Sequence, residues 1–334
     1  LLLLRSIPEM PRFTSHSLFL TGPTACGKSK IAIELAEMLS AEIIALDSMT
    51  LYRRMDIGTA KPSPAERNRI PHHLIDTLDP WETSSLDQYL RQAESICDDI
   101  LARGKRPLFV GGTPLYLKGC LRGIFDGPPV DPATRARLED EARTLGSQEL
   151  HARLTAIDPA AADRIAIADT RRIIRAIEVF EATGRPISHW QQQFDQPARP
   201  CPPVAALLPD RATRHASINR RVVKMMEAGW IEEVRQLLTG DHPPLSRTAL
   251  QAVGYQEIIE YLEGRIDHDE MIDLIQTRTR QLSKRQMTWF RHLEEVRWFP
   301  ITGAGPTPSL RDEMADFFRQ GPSTVASGPP EPAQ

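Results

Sequence analysis

Cysteine is scarce in this chain: four in 334 residues, at Cys26, Cys97, Cys120 and Cys201. They are widely scattered, and no pair has metal-ligand spacing. A disulfide framework and a cysteine-based metal site are not expected, and a reducing compartment fits. Net positive charge is also lacking. The chain has 41 Lys and Arg against 44 Asp and Glu, a balance of −3. Any nucleic-acid surface must therefore be local rather than global. Long apolar runs are missing. Leu1–Leu4 is far too short for a membrane span or a signal-peptide core, so no membrane partner is expected and the cytoplasm is the expected location. Met10 reads as a plausible natural start, which leaves residues 1–9 undecided. No repeat of solenoid length is present.

What is there is ordinary for a globular protein: 41% hydrophobic and 25% charged residues. The length implies one large or two small domains. Short apolar runs at Leu18–Thr21, Ile43–Leu46, Leu108–Val110, Ala205–Leu208 and Val296–Phe299 read as buried parallel strands. Helical stretches lie between them, among them Ile31–Leu39 and Leu86–Leu101. Between Asp131 and Gln193 the strands stop. Helices are expected there at Pro132–Leu145, Ser147–Ile157, Pro159–Ile165, Asp169–Thr183 and from Ser188, with Asp131 and Asp158 placed as caps before prolines. The expected fold is α/β, a P-loop-type doubly wound parallel sheet with an all-helical insertion. Residues 14–126 and 196–318 would form the core, 127–195 the insertion, and 319–334 a disordered tail rich in Pro, Gly and Ser.

Gly22-Pro23-Thr24-Ala25-Cys26-Gly27-Lys28-Ser29 fits G-x-x-x-x-G-K-[ST] between a strand and a helix. Backbone N–H groups, the helix N-terminus and Lys28 would hold a di- or triphosphate. The Ser29 hydroxyl is placed to ligate Mg2+. Asp47 follows the second apolar strand, at the carboxyl edge where such sheets bind ligands. Three roles are open to it from position alone: a magnesium carboxylate acting through water, a general base, or a cap. The third strand ends in Gly111-Gly112-Thr113 and not in a carboxylate. That argues against ATP hydrolysis and leaves room for a diphosphate leaving group. Thr113 reads either as a site hydroxyl or as an N-cap.

Several stretches closely resemble the tRNA dimethylallyltransferases, a family of tRNA isopentenyltransferases. They are the phosphate loop, Leu46–Tyr52, the run Met55-Asp-Ile-Gly-Thr-Ala-Lys-Pro62, Pro71–Asp76, Val110–Tyr116, Arg175–Glu178, Val253–Tyr255 and Thr279–Trp289. The resemblance covers roughly residues 18–299. It implies transfer of a dimethylallyl group from dimethylallyl diphosphate to the exocyclic amine of the adenosine 3′ of the anticodon. The tRNAs concerned read codons beginning with U. It further implies that the loop holds the diphosphate with Mg2+, that Asp47 is the base, and that Thr113 positions the reacting groups. Arg221 adds a diphosphate contact, with Arg220 an equal neighbour. By the same resemblance Asp47, Ser48, Met49, Thr50, Thr113, Arg135, Arg171, Arg172, Ile173, Ile174, Arg175, Gln251, Ala252, Val253, Gly254, Tyr255 and Gln256 face a tRNA anticodon stem-loop. A monomer is expected.

Two acid-free basic runs, Arg211–Lys224 and Arg278–Arg291, are compatible with polyanion contact, though such runs are more often solvated faces. Trp289 and Phe290 are expected in the core. Cys26 stands where serine is frequent in the family. Its place at a helix N-terminus makes it the expected site of first alkylation. Three other readings stand beside this one: a P-loop small-molecule or nucleotide kinase, a prenyltransferase acting on free adenine nucleotide, and a non-catalytic nucleotide-gated RNA binder.

Overall fold

The computed structural model describes residues 16–123, 127, 131–191, 201–301 and 305–321. Six strands form one parallel sheet: β1 (Leu18–Thr21), β2 (Ala41–Ala45), β3 (His72–His73), β4 (Arg106–Val110), β5 (Val204–Pro209) and β6 (Val296–Ile301). Their order is β3-β2-β4-β1-β5-β6. Strand β1 sits inside the sheet, with Phe19 opposite Phe109 on one side and Val204 on the other. Its four residues are all buried, as the apolar run requires. Helices α1 (Lys28–Met38), α2 (Pro64–Arg69), α3 (Leu86–Ala102) and α4 (Pro114–Arg122) precede or follow the first four strands.

The described residues group into two compact units, one within Arg122–Gln196 and one within Met10–Leu121 and Pro197–Gln334. The first is helical: α5 (Pro132–Leu145), α6 (Ser147–Ile157), α7 (Pro159–Ala162), α8 (Thr170–Thr183) and α9 (Ile187–Trp190). Its core is its own, with Leu138, Leu150, Leu154, Ile173 and Ile177 buried together. Asp131, Asp158 and Asp169 each accept a backbone N–H from the first turn of the following helix. The second unit adds α10 (Arg211–Glu227), α11 (Trp230–Leu238), α12 (Tyr255–Leu262), α13 (His268–Arg291) and α14 (Pro308–Gln320) to the sheet.

Several boundaries differ from expectation for physical reasons. Strand β3 has no apolar run; it is two half-buried histidines joined to β2 by backbone pairing and by the contact of His73 Nε2 with Glu42 Oε2 at 2.8 Å. Helix α1 begins at Lys28, three residues early, because Gly27 at φ 87° turns the phosphate loop directly into the helix. Helix α14 carries regular structure through Gln320, beyond the core's expected end at 318. The remaining tail, 322–334, lies outside the described residues, as do Leu1–Leu4 and Met10. Phe290 is fully buried, but Trp289 is 38% exposed and not part of the core.

Candidate active site

A cavity of about 640 Å³ opens at the carboxyl edge of the sheet. It is lined by the phosphate loop, Asp47–Thr50, Gly111–Pro114, one face of α10, one face of α13 and the Gln251–Val253 segment. Sequence periodicity builds the two helical walls. Ile218, Arg221, Val222 and Met225 recur at helical spacing on α10, and Thr279, Leu282 and Gln286 do so on α13.

The loop leaves β1 at Gly22, where φ is 140° and an added Cβ would lie 2.9 Å from Leu207 O. Lys28 Nζ donates to the carbonyls of Gly22 at 2.8 Å and Pro23 at 2.7 Å, and sits 3.7 Å from Cys26 Sγ. Ser29 lies on the cavity wall in the first turn of α1. Cys26 is only 5% exposed, which overturns its expected first rank for alkylation. Cys201 is the most accessible of the four thiols.

Asp47 Oδ1 accepts the Met49 N–H at 2.9 Å, so the carboxylate braces its own turn. Part of Asp47 is reached by solvent, yet protein surrounds most of it. Burial pushes its pKa up, opposed by the Met49 N–H and by the charges of Lys28 and Arg221. Among the described residues Asp47 is the sole carboxylate on the cavity wall. Arg221 faces the loop, with Nη1 3.5 Å from Thr24 Oγ1, and burial lowers its pKa against the pull of Asp47 and Cys26. Arg220 is exposed and lines, together with Arg221, a smaller cavity, whereas Arg221 alone of the two also lines the main one, so the neighbours are not equivalent.

Thr113 does not use its hydroxyl to cap its own helix. Its Oγ1 accepts the Ser48 N–H at 3.1 Å and so ties the β4 turn to the Asp47 turn. Gly111 permits that junction, since a Cβ there would come within 2.0 Å of Leu46 O. One residue given no role from the sequence links the β4 turn to the phosphate loop. Gln286 on α13 is 7% exposed; its Oε1 accepts the Thr24 N–H at 2.9 Å and its Nε2 donates to Gly112 O at 2.7 Å. Its signal was one of three glutamines in a basic helix, too slight to read without the fold.

The other expected RNA-facing residues fall into two groups. Gln251, Ala252 and Val253 line the cavity; Gly254 and Tyr255 are buried behind it, and Gln256 pairs with Glu260. Glu257 anchors this stretch by accepting the Gly254 N–H at 2.8 Å and pairing with Arg278 at 2.5 Å. In the helical unit, Arg171 and Arg172 are exposed near the start of α8. Ile173 and Ile174 are core residues at 0% and 4% exposure, so their side chains fill the helical core and do not offer a surface. Arg135 and Arg175 both pair with buried Glu178, at 2.5 Å and 3.5 Å.

Magnesium was expected at Ser29. The wall offers the Ser29 hydroxyl and the Asp47 carboxylate, and no group of three or more His, Cys, Asp or Glu ligands exists among the described residues. Such sparse oxygen ligation suits Mg2+, which keeps waters and takes its remaining ligands from phosphates.

Sheet, loop and carboxylate together define an α/β protein of the phosphate-loop class. A family model described as IPP transferase matches residues 50–293, and one described as Isopentenyl transferase matches residues 16–76. The tRNA dimethylallyltransferase of Rhodopirellula baltica is 46% identical over 303 residues, 88% of this chain and 90% of that one. That of Carboxydothermus hydrogenoformans is 45% identical over 84% of this chain and 91% of its own length. The solved tRNA isopentenylpyrophosphate transferase of Bacillus halodurans superposes with a TM-score of 0.66 at 35% identity, covering 92% of this chain and 96% of that one. A eukaryotic dimethylallyltransferase acting on tRNA superposes at 0.73 with 25% identity, covering 94% and 82%. The chain belongs to the tRNA dimethylallyltransferase family.

Proposed function

We propose that this enzyme transfers the dimethylallyl group of dimethylallyl diphosphate to the exocyclic amine of an adenosine in tRNA. The adenosine is the one 3′ of the anticodon in tRNAs reading U-starting codons. The observation that carries the reading is Asp47: one enclosed carboxylate sharing a cavity with a phosphate loop, Arg221 and Thr113. The absence of an acid at the end of β4 favours this over phosphoryl transfer.

The adenine N6 attacks C1 of the dimethylallyl group. The C1–O bond breaks, and its electron pair stays with the departing diphosphate. Loop N–H groups, Lys28 and Arg221 stabilise the charge growing on that oxygen. Ser29 would hold Mg2+, which when bound would supply further charge neutralisation. Asp47 takes the N6 proton, and its raised pKa suits a base that must bind a proton near neutral pH. Thr113 keeps the two turns in register. The acceptor base must leave its stack to enter the cavity. Ser48, Met49, Thr50 and Gln251–Val253 line its path. Arg171 and Arg172 contact the RNA backbone.

The test is incubation with dimethylallyl diphosphate, magnesium and unmodified tRNA, followed by nucleoside mass analysis. The expected product is adenosine heavier by one dimethylallyl unit. Labelled phosphate moving from ATP to a small acceptor, with no new nucleoside, would replace this reading by the kinase one.

A further inference from the structure

After the phosphate loop, Met55–Pro62 is the most distinctive run in the sequence, and its side chains take no part in the transfer chemistry described above. The segment lies between α-helical and strand elements, and Gly58, Thr59, Ala60 and Pro62 line the main cavity. Three consecutive N–H groups in it converge on one carboxylate of α11. Asp56 and Ile57 donate to Glu233 Oε2 at 2.7 and 2.6 Å, and Gly58 donates to Oε1 at 3.2 Å. The Tyr255 hydroxyl donates to the same Oε1 at 2.7 Å. Successive N–H groups aimed at one point form an anion nest, and here the protein supplies the anion itself.

The far end of the segment is fixed as well. Lys61, with 2% of its side chain exposed, donates to Tyr52 O at 2.5 Å, Asp56 Oδ1 at 2.7 Å and Asp76 Oδ1 at 2.5 Å. Between these anchors the backbone lies against Trp230. A Cβ on Gly58 would fall 2.2 Å from Trp230 Nε1, and one on Gly254 would fall 2.0 Å from the same ring. The side of the cavity that this wall serves is set by its neighbours. Ile57 and Ala60 share a second cavity, of about 370 Å³, with Ala25 and Gly27 of the phosphate loop and with Arg221. A shift of the wall would therefore disturb the diphosphate end before the RNA.

We propose that Glu233 is a positioning residue that sets Asp56–Ala60 as a rigid wall for the donor half of the cavity. The inference rests on the reading of the loop as a diphosphate site. Glu233→Gln keeps the size of the side chain but turns one accepting oxygen into a donor, so the nest loses the negative charge and one of its two acceptors. Four readouts are compared with wild type: calorimetric titration with inorganic diphosphate and magnesium, tRNA binding, steady-state transfer, and amide exchange at Asp56–Gly58.

Diphosphate affinity and the KM for donor should both worsen by about tenfold, with tRNA affinity within about twofold and kcat at saturating donor retained. Exchange at the three amides should accelerate. Faster exchange with unchanged diphosphate binding would reduce Glu233 to a structural brace and overturn the proposal. So would weakened tRNA binding with donor binding spared. If Glu233→Gln does not fold, Tyr255→Phe removes one of the four donors to the carboxylate. It must weaken diphosphate binding in the same direction, by about two- to threefold, or the proposal fails. A wild type that binds diphosphate but transfers nothing would defeat the proposed function, while the titrations still judge Glu233.

Discussion

At the scale of the residue, Asp47 carries a conflict between stability and chemistry. Burial raises its pKa, and the Met49 N–H, Lys28 and Arg221 only partly offset this. A carboxyl with a raised folded pKa holds its proton more tightly in the folded chain than in the unfolded one. Its contribution to stability is full below the unfolded pKa and falls as pH rises through the folded value. Asp47→Asn removes that loss. Its urea midpoint at pH 7 should equal or exceed that of wild type, while single-turnover transfer drops by roughly two to four powers of ten. Donor and tRNA affinities should be spared. Loss of donor binding that extra magnesium restores would instead make Asp47 a metal ligand. The cysteines give a second residue-level outcome. Cys97 is buried with its thiol pushed up to about 12, and burial also pushes the Cys120 thiol well up. Cys26 is closed in by its own loop. Cys201 should therefore be alkylated first, as peptide mass mapping after brief iodoacetamide treatment would reveal. Modification of Cys26 ahead of Cys201 would mean that the phosphate loop opens.

At the scale of the element, α8 combines two kinds of arginine. Arg171 and Arg172 project from its start, whereas Arg175 and, from α5, Arg135 grip the buried carboxylate of Glu178. Arg171→Ala with Arg172→Ala should lower the slope of log affinity for tRNA against log salt by up to about two units, with little change in stability. Arg175→Ala should behave differently and lower the stability of the helical unit, since it leaves a buried carboxylate less well paired. An equal salt effect from all three, with stability untouched, would place Arg175 among the exposed arginines. The helices of this unit were legible in the sequence because aspartates and prolines mark their starts. Strands of the sheet were legible wherever both faces are covered, as at β1 and β5. Strand β3 was not, because backbone pairing to β2 holds it with no apolar pattern to announce it. The site was legible where one segment contains its own logic, as the phosphate loop does. Gln286 and Glu233 were not, because each acts on backbone groups 262 and 175–177 residues away in sequence. Only the fold assembles such contacts.

At the scale of the whole molecule, the two units bury separate cores. The sheet unit contains every residue of the 640 Å³ cavity, and the helical unit buries its own cluster around Leu138, Leu154 and Ile177. A ligand that binds only the folded sheet unit stabilises that unit by mass action, by about 2.7 kcal/mol at a hundredfold excess over Kd. In a unit of this size such a gain raises the melting temperature by roughly 5–10 °C at most, and by less as the ligand's own dissociation heat grows. Because the two units bury separate clusters, the intact chain should show two calorimetric transitions. Inorganic diphosphate with magnesium should move one of them upward and leave the second in place. Lys28→Ala should abolish the shift, since it removes the loop's one full charge, without lowering the second transition. A single transition that moves as a whole with diphosphate would show that the two cores melt together. In that case the helical unit could not be treated as an independent part in any account of how this enzyme holds its RNA.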